Sequence, residues 1–115
     1  MQKMMFDFSD NTDGFESLGQ EFDLPPYAQG ATICYIANFN LTEDGFLESV
    51  ATYEGMSYLS NKDAHNPLKG KVVAMNRAMA EMPLGSIDRD ILDTAMEMEA
   101  ALQSQMVDNK NPIGL

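Results

Sequence analysis

Polar and apolar residues alternate along residues 31–39, which read Ala-Thr-Ile-Cys-Tyr-Ile-Ala-Asn-Phe. A period of two in a stretch rich in β-branched and aromatic residues predicts a β-strand with one face more apolar than the other. An Asp-Gly pair ending at Gly45 follows, and glycine accepts the positive φ that a tight hairpin turn requires. A second extended stretch, roughly residues 47–59, completes a predicted hairpin over residues 31–59. Gly55 inside it indicates a bulge or the close approach of another backbone.

The segment after the first strand has one competing interpretation. Thr42 could cap a short helix that runs to Tyr53, because its hydroxyl can accept a hydrogen bond from the first helical turn. We favour the hairpin, because the Asp-Gly pair is the stronger local signal.

A helix is predicted over residues 67–82. Asn66 suits its N-cap and Pro67 its first position, where a missing backbone N–H costs nothing. Apolar residues then recur at steps of three and four, which places them on one face of a helix: Leu68, Val72, Met75, Met79 and Met82. Gly70 in the first turns lowers helix stability by about 1 kcal/mol relative to Ala, so we expect it to serve close packing.

A second helix is predicted over residues 87–107, after a break at Pro83-Leu-Gly85. Ser86 is expected to cap it, and Asp88 and Asp90 suit its first turn, where the helix dipole favours anions. Its apolar face is expected to comprise Ile87, Ile91, Ala95, Met98, Leu102 and Met106. Residues 108–115 are expected to form a loose tail.

The first 30 residues interleave aromatic and acidic side chains, with turn signals such as Pro25-Pro26. We expect residues 1–30 to form an acidic, irregular arm. Its aromatic residues would dock on the core while its carboxylates face water or a basic partner. The whole chain, residues 1–115, then forms a single α+β domain: a small antiparallel hairpin or sheet packed against two helices on one face.

The charge of the chain is strongly unbalanced, with 18 Asp and Glu against 7 Lys and Arg and a net charge of −11. Such a chain repels nucleic acid and anionic membranes, so we expect neither direct nucleic-acid binding nor membrane association. The N-terminal apolar stretch is too short for a signal peptide, and no apolar run approaches a membrane span. The expected compartment is therefore the cytoplasm, and the expected partner is a basic protein.

The residues offer little for catalysis, a metal or a cofactor. Cys34 is a lone cysteine in an apolar run, where we expect a buried, inert thiol. His65 is the single histidine. Although Asp63 and Ser60 are near it in sequence, no nucleophile motif accompanies them. We therefore expect a non-enzymatic protein that needs no cofactor and no metal.

The acidic surface suggests a nucleic-acid mimic. Asp90, Asp93 and Glu97 lie three and four residues apart, which is about 4.5 and 6 Å of rise along a helix and is comparable with phosphate spacing. Together with carboxylates of the arm, this face would contact the basic groove of a host protein, and the expected contact residues in the arm are Asp7, Asp10, Asp13 and Glu16.

The few bases support an alternative hypothesis. Four of them lie between Lys62 and Arg77, around the start of the first helix. A helix start with nearby lysines can hold a small anionic ligand such as a nucleotide, and the alternative hypothesis is a homo-oligomeric module that binds such a ligand here. The residues of this alternative site are Lys62, Asp63, Lys69, Lys71 and Arg77.

Residues 62–78 also resemble a pattern found in small bacteriophage proteins of unassigned function, K-D-x-F-[NS]-x-x-x-G-R-x-x-A-x-x-R-A after a two-stranded hairpin. The matching positions are Lys62, Asp63, Asn66, Gly70, Ala74, Arg77 and Ala78. His65 stands where the pattern has an aromatic residue and Lys71 where it has arginine. The resemblance implies a hairpin followed by a helix and an accessory protein of a phage or mobile element that inhibits or modulates a host factor, such as a nuclease or a CRISPR or restriction component.

Overall fold

A computed structural model describes residues 1–9, 15–17, 20–22, 25, 27–60 and 66–110 of the chain, with side chains over 1–9, 25, 27–59 and 66–105. In chain order the elements are β1 (Gln2–Ser9), β2 (Phe15–Ser17), β3 (Gln20–Phe22), β4 (Ala28–Leu41), β5 (Leu47–Ser60), α1 (Pro67–Ala80) and α2 (Arg89–Lys110). Strands β1, β4 and β5 form an antiparallel sheet in the order β1-β4-β5, and β2 pairs with β3. The predicted α+β fold is confirmed.

The predicted hairpin is confirmed as β4 and β5, which pair from Ala28↔Ser60 to Leu41↔Leu47. Its turn has Gly45 at φ +87°, and the Gly45 amide donates to the Thr42 carbonyl at 3.0 Å. The Asp-Gly pair predicted a hairpin turn with a positive φ at the glycine, and Gly45 has that conformation. The alternative helix from Thr42 to Tyr53 is wrong, because β5 occupies its second half.

The irregular arm predicted over residues 1–30 is wrong for the described part of that segment. Residues 2–9 form β1, which pairs with β4 from Gln2↔Asn38 to Ser9↔Ala31. Met4 and Phe6 on one side of β1 pack against the core below the helices. The alternation was present in the sequence, but the dense aspartates of the whole segment obscured it.

Helix α1 begins as predicted. Asn66 accepts a hydrogen bond from the Lys69 amide through its side-chain Oδ1 at 3.2 Å, and Pro67 occupies the first position. Gly70 and Gly55 allow the helix to lie close to the sheet. A Cβ on Gly70 would stand 3.0 Å from Thr32 Oγ1, and one on Gly55 would collide with the backbone of α1 at Ala74 and Ala78.

Helix α2 begins later than predicted, at Arg89, and Ser86 is not its cap. The Ser86 hydroxyl instead donates to the Pro83 carbonyl at 2.6 Å within the connecting loop. Gln2 links this loop to β1 through two hydrogen bonds. Its backbone amide donates to the Asp88 carboxylate at 3.1 Å, and its side-chain carbonyl accepts from the Asp88 backbone amide at 2.8 Å. The first strand, not a local cap, therefore sets where α2 begins.

The two helices lie on one face of the sheet, as predicted, and the central strand β4 is buried on its other face as well. On the helix side, Cys34 and Ile36 of β4 pack with α1 and α2, and the predicted apolar faces are confirmed as far as Leu102. On the opposite side Ile33 is 1% and Tyr35 3% exposed, and Met56 packs against them. Strand β4 is thus the centre of two apolar layers.

Candidate partner-binding surface

One end of the sheet brings together the turn of the hairpin and the start of α2. Strand β1 pairs with β4 as far as Gln2↔Asn38, and Met1 extends this edge to Phe39 by donating to the Phe39 carbonyl at 3.1 Å and accepting from the Phe39 amide at 2.7 Å. Strands β4 and β5 continue beyond it to Leu41 and Leu47. Gln2 also holds Asp88, so the loop between the helices lies at the same end. We call this region the hairpin end and define it as residues 39–50 and 81–90.

The hairpin end carries a concentration of exposed carboxylates. They come from the hairpin turn and strand β5, the C-cap of α1 and the start of α2: Glu43, Asp44, Glu48, Glu81, Asp88 and Asp90. The nearby bases are Lys3 and Arg89, and the chain has no Lys or Arg between Lys3 and Lys62. The hairpin therefore has no base of its own to neutralise its acids.

The predicted acidic face of α2 is exposed at each of its three members, Asp90, Asp93 and Glu97. Asp93 accepts a hydrogen bond from Nε of Arg89 at 3.1 Å, one helical turn earlier. This is the single ion pair within the described residues, and both side chains are largely exposed, so its contribution to stability is small. The charge of this face is reduced at Asp93 and retained at Asp90 and Glu97.

The predicted contact residues of the arm are only partly described. Asp7 lies on β1, exposed, and its Oδ1 accepts a hydrogen bond from the Phe8 amide at 2.9 Å. Glu16 belongs to β2, but its side chain is outside the described part. Asp10 and Asp13 lie outside the described residues altogether.

The structure separates the predicted basic cluster. Lys69 and Arg77 lie toward β5 along α1, and the Arg77 guanidinium donates to the Met56 carbonyl at 2.6 Å. Lys71 lies on the β1 side of α1, with its ammonium 5.6 Å from the centre of the Phe6 ring. A cation over an aromatic face is stabilised within the chain itself. Lys62 and Asp63 lie outside the described residues, so a site that unites all five remains a prediction.

Two shallow cavities flank the start of α1. Lys69 and Arg77 contribute to a cavity of about 140 Å³, together with Thr32 and Ser57. That volume is below the roughly 300 Å³ at which small-molecule sites usually begin. Lys71 contributes to a second cavity of about 340 Å³, whose other lining residues are mostly apolar and include the acidic Asp7. The first cavity holds two bases but is small, and the second is larger but holds one base beside an acid, so neither combines the volume and the charge that suit an anionic ligand.

The remaining chemistry-bearing residues give no reactive centre in the described part of the chain. Cys34 is fully buried, as predicted, and burial raises the pKa of its thiol to about 12. No group of three or more His, Cys, Asp or Glu residues in the described ranges could hold a metal ion. His65 lies outside those ranges, and none of the described helices is long and apolar enough to cross a membrane.

The sequence analysis missed an apolar component of the hairpin end. Leu41 and Phe46 are each 71% exposed, and Leu47 and Val50 are about half exposed. They flank the Asp-Gly turn, so their presence at the tip was visible in the sequence. What was not visible is that these side chains stay exposed when the described strands and helices pack together.

Comparisons with protein-family models, with curated proteins and with solved structures found no match to this chain. The resemblance to small phage proteins therefore stays a prediction, and the case for function depends on the surface of the molecule.

Proposed function

We propose that this protein is a non-enzymatic binding protein that engages a basic partner protein through the carboxylates of the hairpin end and of the exposed face of α2. The observation that carries the proposal is the accumulation of exposed acids there, with one ion pair, Arg89–Asp93, among the described residues. Acids that are not neutralised within the chain remain available to an external base.

The physical argument follows from the net charge of −11. Carboxylates of like sign repel each other in the folded chain, which destabilises the compact state unless a ligand of opposite charge is bound. The same field attracts a basic protein over a distance of about one Debye length, roughly 8 Å at physiological ionic strength. Binding of this kind is fast, and it weakens when salt screens the charges.

The partner that we propose is a protein of a bacterial host that handles nucleic acid, such as a nuclease or a CRISPR or restriction component. Such proteins have basic grooves shaped for phosphates, and the helical spacing of Asp90, Asp93 and Glu97 allows carboxylates to occupy that groove. The resemblance of residues 62–78 to small phage proteins supports a phage or mobile-element accessory protein that inhibits its target in the host cytoplasm.

The test begins with affinity capture from a bacterial lysate at low and at high salt, followed by purification of each captured protein and direct measurement of its affinity. We expect a basic protein whose binding weakens steeply with salt and which duplex DNA displaces. Reversal of the α2 face, D90K with D93K and E97K, should weaken binding by at least tenfold.

The matched comparison is E43K with D44K and E48K, which reverses three carboxylates of the hairpin. Each triple variant changes the net charge by +6, from −11 to −5. Unequal losses identify the contact surface, since a general effect of net charge would affect both variants equally. If neither variant weakens binding, or if salt has no effect, the proposal is wrong.

A further inference from the structure

The outer part of the hairpin presents an apolar strip to solvent. Leu41 of β4 and Leu47 of β5 are direct cross-strand partners, so their side chains lie on the same face. Phe39, two residues before Leu41, shares that face, and Phe46 adds a largely exposed ring beside the turn. We call these four residues the hairpin strip.

The hairpin strip continues one of the buried layers of the sheet. Ile33, Tyr35 and Ala37 alternate along β4 in step with Phe39 and Leu41, and so point to the same face. Their burial decreases from 1% exposed at Ile33, through 9% at Ala37, to 71% at Leu41. One apolar row along β4 thus passes from the interior to solvent, although its cross-strand partners on β5 include Glu54, Thr52 and Ser49.

Hydrogen bonds and a β-bulge define the geometry of the hairpin tip in the unbound protein. The Thr42 backbone amide donates a hydrogen bond to the Phe46 carbonyl, and the Thr42 hydroxyl accepts one from the Phe46 backbone amide at 3.0 Å. Between Asn38 and Phe39 the register with β5 shifts, so Val50 has no direct partner and forms a bulge where β1 ends. A bulge bends a hairpin in a fixed direction, and a preformed contact surface loses less entropy on binding.

The charges beside the hairpin strip select the kind of occupant. Glu43 and Asp44 lie in the turn beside it, whereas Glu48 points to the other face of β5. No base lies on either strand of the hairpin, and Lys3 of β1 pairs with Ala37, four residues before Leu41. A second copy of this chain would bring the same turn carboxylates together across a symmetric interface. A basic partner would instead pair them at the rim while its apolar groups cover the strip.

We propose that the hairpin strip is the anchoring contact of this protein and that it occupies an apolar cleft of the partner whose rim carries lysine or arginine. This inference rests on the proposed function and adds an apolar requirement to it. Recognition by charge alone would not require the exposed apolar side chains of Leu41 and Phe46 at the hairpin tip. Interfaces bury such anchors at their centre and place charged pairs at the rim.

The test uses a random peptide library as the probe and compares two variants that leave the charge unchanged. L41S with F46S removes the most exposed part of the strip. The matched control, L92S with M96S, removes two exposed apolar side chains of α2. We expect the wild-type protein to enrich peptides that combine Lys or Arg with large apolar residues. Synthetic copies of these peptides should bind L41S with F46S at least tenfold more weakly and the α2 control unchanged.

The outcomes separate the two proposals. Enriched basic peptides that bind both variants as well as the wild type would overturn the inference and leave the proposed function standing. Absence of any basic enrichment would count against both. If sedimentation shows a wild-type dimer that L41S with F46S disrupts, the occupant is a second copy and the inference is wrong. Thermal unfolding checks that both variants fold, and L41N alone repeats the comparison with a single change.

Discussion

The inner and outer parts of the β4–β5 hairpin are built from similar residues and have opposite surroundings. In the inner part β4 is buried on both faces: Cys34 and Ile36 face α1 and α2, and Ile33 and Tyr35 point to the opposite face, which Leu41 shares. In the outer part, Leu41 and Leu47 pair across the same two strands and are 71% and 49% exposed. Both parts have extended, antiparallel pairing, and the bulge at Val50 lies between them.

The difference is in what covers the strands. Helix α1 lies close to β5 on one face because Gly55 has no side chain, and β1 together with Met1 pairs with the edge of β4 as far as Phe39. Beyond that point no described element packs on the hairpin. Apolar residues in the inner part therefore stabilise the fold, while those in the outer part are available for binding. Substitutions that separate these two roles test the comparison directly.

The largest expected effect comes from truncating the inner part. I36A should lower the free energy of unfolding by about 4 kcal/mol, because it removes buried methyl groups and leaves a cavity. L41A should change it by less than about 0.5 kcal/mol, because its side chain is already in water. Urea unfolding of both variants gives the two values. Equal losses would show that the outer part is covered in solution.

The next effect concerns the close approach of α1. G55A should lower the free energy of unfolding by about 3 kcal/mol, because the new methyl group meets backbone atoms of α1, including the carbonyl carbon of Arg77 at 2.7 Å. G45A in the turn should cost about 1 kcal/mol, since its Cβ has open space and only the positive φ is strained. A G55A variant as stable as the wild type would contradict the tight contact.

The last expected effect is a pH dependence of stability that appears only above about pH 9. Burial raises the pKa of Cys34 from 9.0 to about 12. The unfolded thiol loses its proton near 9.0 while the folded thiol keeps it, so stability falls as pH rises from about 9 toward about 12. The slope in that window should be steeper for the wild type than for C34A. A thiol reagent should modify Cys34 only in denaturant, and rapid modification of the folded protein would contradict its burial.

Features that depend on neighbouring residues were predictable. The turn at Gly45 and the cap at Asn66 each involve hydrogen bonds within a few residues, so the sequence pattern identifies them. The apolar faces of both helices follow from their periodicity in the same way. The predicted start of α2 was wrong because the observed start depends on Gln2, which is more than eighty residues away in the chain.

The site was predictable in part. Composition alone indicated an acidic surface, and the exposure of Asp90 and Glu97 agrees with it. The pairing of Asp93 with Arg89 was accessible from their four-residue spacing and was overlooked. The hairpin strip could not be predicted, because the exposure of Leu41 depends on whether segments distant in the chain pack on its face of the sheet.

The sequence by itself determined the β4–β5 hairpin, the two helices and the excess of carboxylates, because periodicity, turns, caps and charge are properties of residues close together in the chain. The tertiary structure alone decided that residues 2–9 join the sheet, that Lys71 lies on the other side of α1 from Arg77 and that an acidic, apolar hairpin end is exposed. Those outcomes depend on which distant segments meet, and the free energy of such contacts is set by shape and burial across the whole fold.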